Sequence, residues 1–217
     1  MNSIREIYDR LMGAYGPQHW WPADSAEEVM IGAVLTQNTA WRNVEQALIQ
    51  LRKADALTMR AIHEASTDEL IEHIRPAGTY RIKAKRLKAL AACVMEDCGG
   101  SLEVLFEGPM NSVRSRLLRI HGIGPETADA ITLYAGNRPT FVMDAYARRV
   151  LIRHGLASPE DDYDALKTVM ESSLERNAQI YNEYHALIVA VGKNHCGRKA
   201  TCEGCPLTDM PHDPERC

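Results

Sequence analysis

Apolar residues recur at three- and four-residue spacing through almost the whole chain, and this pattern most narrows the folds open to it. The segments WRNVEQALIQLRKA, TDELIEHIR, RIKAKRLKALAACVMEDCGG and NSVRSRLLRI each carry one apolar face. Breaks fall at RPAG, CGG, EGP and HGIG, where glycine and proline punctuate. No segment sustains the strict alternation that a sheet requires, so the chain reads as all-α. SAEEVMIGAVLTQ opens on Ser25 with Glu28 three residues later, a capping-box pattern. After GNRPTFV come two further helical patterns, one over Ala145 to His154 and one running through DYDALKTVMESSLERNAQIYNEYHALIVAVGKN. With 217 residues there is room for two small domains. The simplest division is a helical domain over 23–139 and a second built from 1–22 plus 140–217, the N-terminal helix packing with the C-terminal ones.

Composition limits the function classes. A hydrophobic content of 45% with 25% charged residues fits a globular protein in water. No run approaches the roughly 20 apolar residues needed to cross a bilayer. The start, MNSIREIYDRLMGAYG, lacks an apolar signal-peptide core and reads as an amphipathic helix. The expectation is a monomeric cytoplasmic protein, nucleoid-associated if prokaryotic, with no membrane partner. A net charge of −4 argues against nonspecific coating of nucleic acid. Its distribution points the other way, because basic residues cluster. RPAGTYRIKAKRLK holds six and no acidic residue, NSVRSRLLRIHG adds Arg114, Arg116 and Arg119, and YARRVLIRHG adds Arg148, Arg149 and Arg153.

Those clusters flank IHGIGPETAD, which reads as helix, tight glycine turn, helix. Gly122 and Gly124 reach backbone angles closed to other residues, and Pro125 with Glu126 suits a first helical turn. Such a turn presents backbone N–H groups without side chains that would hold a phosphate away. A plain helix–helix connection gives the same letters; nearby Arg114, Arg119 and Arg138 favour a phosphate grip that reads no sequence. Downstream, RPTFVMDAYARRVLIRHG places Asp144 at a helix start. Asp is a good N-cap, and a carboxylate held ionised there also suits stabilising a cationic sugar or orienting an attacking water.

On LRIHGIGPETAD, RPTFVMDAYARR and the terminal cysteines, in that order, the chain resembles the endonuclease III type of helix-hairpin-helix DNA glycosylase over nearly its whole length. The resemblance implies an all-helical, two-domain fold with a DNA cleft between the domains. It matches Asp144 to the catalytic aspartate and implies DNA contacts from Gly122, Gly124, Thr127, Arg119, Arg138 and Lys193. Bifunctional members carry a lysine after the hairpin; here that position is Glu126, and a carboxylate cannot form a Schiff base. The implied enzyme is therefore a monofunctional glycosylase that leaves an abasic site uncut.

HWWPA, GAVLTQNTAWRNV and IRPAGTYRIKAKRL look like the 3-methyladenine DNA glycosylases of endonuclease III type. The resemblance implies a stacking pocket for a flipped alkylpurine from Trp20, Trp21, Pro22 and Trp41. Gln37 and Asn38 lie near it, either filling the gap left by the base or fixing local backbone. Stacking on an electron-rich indole suits a cationic alkylpurine. The alternatives are a glycosylase/lyase for oxidised pyrimidines or mismatches, and a non-catalytic hairpin module that only binds duplex DNA.

Cys196, Cys202, Cys205 and Cys217 form C-x5-C-x2-C-x11-C, which suggests a metal centre, with zinc the generic candidate. The resemblance instead implies a [4Fe–4S] cluster, although its usual first gap is six residues and its last is five. Cys93 and Cys98 read as core thiols.

Overall fold

A computed structural model describes residues 3–216, and these divide into two compact units, one over Ala23–Gly136 and one made of the described residues up to Pro22 with those from Asn137 onward. The first unit holds α2 (Ala26–Leu35), α3 (Trp41–Lys53), α4 (Met59–Glu64), α5 (Thr67–Ile74), α6 (Tyr80–Ala92), α7 (Leu102–Leu105), α8 (Met110–Leu118) and α9 (Pro125–Ala130). The second holds α1 (Ile4–Tyr15), α10 (Ala145–Arg153), α11 (Tyr163–Ser172) and α12 (Ala178–Asn194). Among the described residues the fold is all-α, the lone exception being one isolated bridge between Cys196 and Ala200. No described helix is long and apolar enough to cross a membrane.

In the first unit α2 is apolar on every side from Val29 on, and Glu28 through Leu35 are all buried. It packs against α6, α3 and the π-helical turn Ile131–Ala135 that continues α9. A helix buried all round leaves its C-terminal carbonyls without water. Lys83 of α6 meets them: its ammonium, wholly buried, donates to Leu35 O (2.7 Å), Ala77 O (2.7 Å) and Thr39 Oγ1. Lys88, one turn on, does the same for the end of α4, donating to the carbonyls of Ile62, His63 and Ala65 at 2.6–3.2 Å.

Two local expectations change. Ser25 caps α2 through Glu28 N (3.1 Å), but Glu28 does not return the bond to Ser25. Its carboxylate instead accepts from Asp24 N (3.2 Å) and from Arg52 of α3 (2.6 Å), so the pair is half a capping box. A reciprocal box forms at Ser66 and Glu69. In the second unit the long helical pattern after Leu156 is two helices. Asn177 interrupts it because its side chain accepts from Gln179 N (2.9 Å) and Ile180 N (3.2 Å), starting α12 afresh.

The core of the second unit forms around α12, where Tyr181, Tyr184, Leu187, Ile188 and Val191 are buried. Phe141 stacks edge-on to Tyr181 and Tyr184 (centroids 5.7 and 5.9 Å). Helix α1 lies against this face: Tyr8 meets Tyr184 edge-on at 5.1 Å, and the Tyr184 hydroxyl donates to Ile4 O (2.6 Å).

Candidate functional site

The hairpin between α8 and α9 closes through Ile123 N to Ile120 O (3.1 Å), with Gly122 at φ +81°. A Cβ on Gly122 would lie 2.3 Å from Cγ of Arg86, so glycine is required both by the turn and by that neighbour. Gly124 is extended and precedes Pro125 at the first position of α9. His121, Gly124, Pro125 and Glu126 are exposed, which leaves one edge of backbone open to solvent.

Behind that edge sits a brace. Gln37 donates from Nε2 to Gly122 O (3.1 Å) and Thr127 Oγ1 (2.9 Å), while Arg86 donates to Gln37 Oε1. Thr127 is buried, so its hydroxyl serves the hairpin from inside. Gln37 thus holds the hairpin backbone from behind. Asn38 is exposed at φ +52°, a left-handed position that Asn tolerates well.

In the second unit the chain reaches Asp144 through an extended segment with Thr140 to Met143 buried. Having no partner strand, it takes its bonds from α11: Phe141 N donates to Glu171 Oε1 (2.7 Å) and Met143 N to Tyr163 Oη (3.3 Å). Asp144 then caps α10, Oδ1 accepting from Tyr146 N (2.9 Å) and Ala147 N (2.8 Å). Its Oδ2 faces Nε2 of His185 on α12 at 3.6 Å. Burial pushes the Asp144 carboxyl up. The His185 ring and the amides of Ala147 and Tyr146 outweigh burial, leaving the pKa below its ordinary 3.8. The group is thus a half-buried carboxylate that stays ionised in neutral solution.

Trp20 and Trp21 lie with ring centroids 5.2 Å apart and planes tilted by 48°. Trp20 borders an open pocket of about 270 Å³, floored by Ala186, Val189 and Ala190 of α12 with Gln18, Lys193 and Asn194 at its edge. Lys193 and Pro22 are exposed. Trp41 is half-buried at the start of α3, where its indole N–H donates to Glu45 Oε1 (2.8 Å).

Many basic residues that the sequence gathers are engaged inside the fold. Lys83, Lys88 and Arg86 hold carbonyls or Gln37, as described. Arg114 pairs with buried Asp129 (3.2 Å), and Arg116 donates to Val104 O (3.0 Å) and Leu105 O. Arg148 donates to Asp161 O (2.6 Å) and Pro159 O. Exposed basic side chains in these stretches are Arg75, Arg81, Lys85 and Arg119, while Arg138 is half-buried.

The cysteine tail requires a correction. Neither a [4Fe–4S] cluster nor zinc fits the residues as placed: among the described residues no three His, Cys, Asp or Glu side chains gather where they could hold a metal. Cys196, Cys202 and Cys205 are free thiols, and Cys217 lies outside the described residues. The cavity these three border is about 20 Å³, the space of roughly one water. Burial raises the Cys205 pKa. The loop is held by arginines instead. Arg153 donates to Cys196 Sγ (3.2 Å), Gly197 O (2.8 Å) and Arg198 O (3.0 Å), and Arg149 to Cys196 O (3.1 Å). Cys93 and Cys98 are buried core thiols, with Cys93 pushed up to about 11, chiefly by burial.

Sequence reasoning missed Arg86 and His185. A single histidine within HALIVAV carries no signal of its own, and Arg86 was one letter in a basic run.

Hairpin, capped aspartate and all-helical fold define a class, and comparison with known proteins agrees. Residues 31–176 match the HhH-GPD superfamily base excision DNA repair protein family. A Methanocaldococcus jannaschii protein described provisionally as a DNA repair glycosylase is 44% identical over 208 residues, covering 95% of this chain and 94% of its own. The H. pylori 3-methyladenine DNA glycosylase (MagIII), solved bound to 1,N6-ethenoadenine, is 31% identical with a TM-score of 0.77, covering 89% of this chain and 98% of its own. Endonuclease III of Sulfolobus acidocaldarius is 26% identical over 182 residues, covering 83% of this chain and 78% of its own. The chain belongs to the HhH-GPD superfamily of base excision DNA repair proteins. Its activity is that of a DNA glycosylase.

Proposed function

We propose that the chain is a monofunctional DNA glycosylase that binds duplex DNA and hydrolyses the N-glycosidic bond of alkylated, 3-methyladenine-like purines. The observation that carries the catalytic part is Asp144, ionised and fixed at the N-terminus of α10. The hairpin edge at Gly122 and Gly124 holds a phosphate, with Arg119 and Arg138 supplying charge and Lys193 a contact from α12. The flipped base stacks on Trp20, Trp21 and Trp41, with Pro22 beside them. As the C1′–N bond breaks, its electron pair leaves with the base and positive charge spreads over the sugar ring. Asp144 stabilises that charge, and water adds at C1′ while giving up a proton. A cationic alkylpurine departs neutral, so the protein need supply little acid. Likeness to the MagIII structure supports this substrate class.

Strand cleavage through a Schiff base needs an amine. Glu126, exposed at the position where bifunctional relatives carry lysine, offers none. The similarity to endonuclease III proteins favours a second reading, a glycosylase/lyase acting on oxidised pyrimidines or mismatches. A panel of duplexes carrying methylated purines, an oxidised pyrimidine or a mismatch separates the two, with borohydride trapping run alongside. Release of methylated purines without a trapped adduct supports the first reading. A trapped adduct with an oxidised pyrimidine supports the second.

A further inference from the structure

Asp144 is anchored unevenly. Two amides hold Oδ1, and because both oxygens turn together about Cβ–Cγ, a partner on Oδ2 adds a second restraint on the same plane. Among the described residues, His185 faces the other oxygen, its Nε2 3.6 Å from Oδ2. That is longer than a direct hydrogen bond, and hydrogen bonds at reacting groups commonly tighten when substrate binds.

The fold aims His185 there. It lies on the buried face of α12 among Tyr184, Ala186, Leu187 and Ile188, with its ring edge-on to Phe141 (centroids 6.2 Å, planes at 80°). Seven residues later Gly192 lets α10 approach closely, since a Cβ there would lie 2.3 Å from the Tyr146 ring. Phe141 precedes Asp144 and Tyr146 follows it, so one pair of elements fixes both partners.

We infer that His185 is a positioning residue for Asp144, donating from Nε2 to Oδ2 and fixing the plane of the carboxylate during base release. This rests on the reading of Asp144 as the group that acts on the sugar. Misplacement of a reacting group by about 1 Å can cost on the order of 100-fold in rate.

The test compares wild type with His185→Leu, His185→Gln and Asp144→Asn. Single-turnover base release is measured at saturating protein, on methylated duplex or on whichever panel duplex wild type acts on, together with duplex Kd and thermal midpoint. Gln can place an amide N–H close to where Nε2 stood, whereas Leu cannot. The expected result is a release rate lowered on the order of 10- to 100-fold in His185→Leu, largely restored in His185→Gln, with Kd unchanged in both. Equal losses in Leu and Gln that follow the thermal midpoint would make the ring a packing element and overturn the inference. A normal rate in His185→Leu beside an inactive Asp144→Asn overturns it while leaving the proposed function standing. An active Asp144→Asn removes both.

Discussion

Replacing Lys83 with methionine isolates the contribution of one buried ammonium. Methionine keeps much of the apolar stem, so little packing is lost and the change falls on three acceptors. Thr39 can turn its hydroxyl wholly to Ala77 O, to which it already donates at 2.7 Å. That leaves the Leu35 carbonyl bare and part of Ala77 exposed to nothing polar. A buried acceptor left unsatisfied costs about 1–3 kcal/mol, and removing the ammonium returns part of its desolvation cost. The net expectation is a loss of about 2–4 kcal/mol at neutral pH, read by urea denaturation. Burial, with the charge of Arg86, pushes Lys83 down to about 8 from 10.5. Between those values the unfolded chain binds the proton that the folded one has lost, so wild-type stability rises with pH relative to the variant. The same lysine tethers the loop carrying Gln37, so duplex binding should also weaken. A variant within 0.5 kcal/mol of wild type, or one more stable, would refute the reasoning.

Two further outcomes follow from the geometry. Gly122→Ala must accept φ +81° and displace the Arg86 stem, so it should lose about 1–3 kcal/mol in denaturation and bind undamaged duplex more weakly. Burial, with the charge of His212, holds His154 down at about 4, so the unfolded state binds the extra proton between that value and 6.5. Stability should therefore fall as pH drops through this window, by up to about 3 kcal/mol, and His154→Gln should flatten the loss in a pH series of thermal midpoints.

The helical architecture was legible because three- and four-residue periodicity reports burial directly, and each glycine–proline break coincided with a turn. Asp144 was legible as a cap because its residue type and the apolar run before it require little tertiary information. The basic runs misled in part. Lys83, Lys88, Arg116, Arg148 and Arg153 all donate to carbonyls, and nothing in a charge pattern separates such a lysine or arginine from one facing a phosphate. Gln37 bonds residues more than 80 positions away, a relation no local pattern contains. The cysteine spacing suggested a ligand set, but the three described thiols border one small cavity without standing where they could hold a metal. His185 was silent because its meaning lies wholly in what α10 brings to it.

The most direct measurement is base release by wild type and Asp144→Asn from methylated duplex under single-turnover conditions, with the strand examined before and after alkali. Wild type should release methylated purine and leave a strand that breaks only after alkali. Asp144→Asn should bind the duplex with similar Kd and release base about 100- to 1,000-fold more slowly. Release by Asp144→Asn within tenfold of wild type, or strand breakage by wild type before alkali, would contradict an aspartate-driven hydrolysis that leaves the strand uncut.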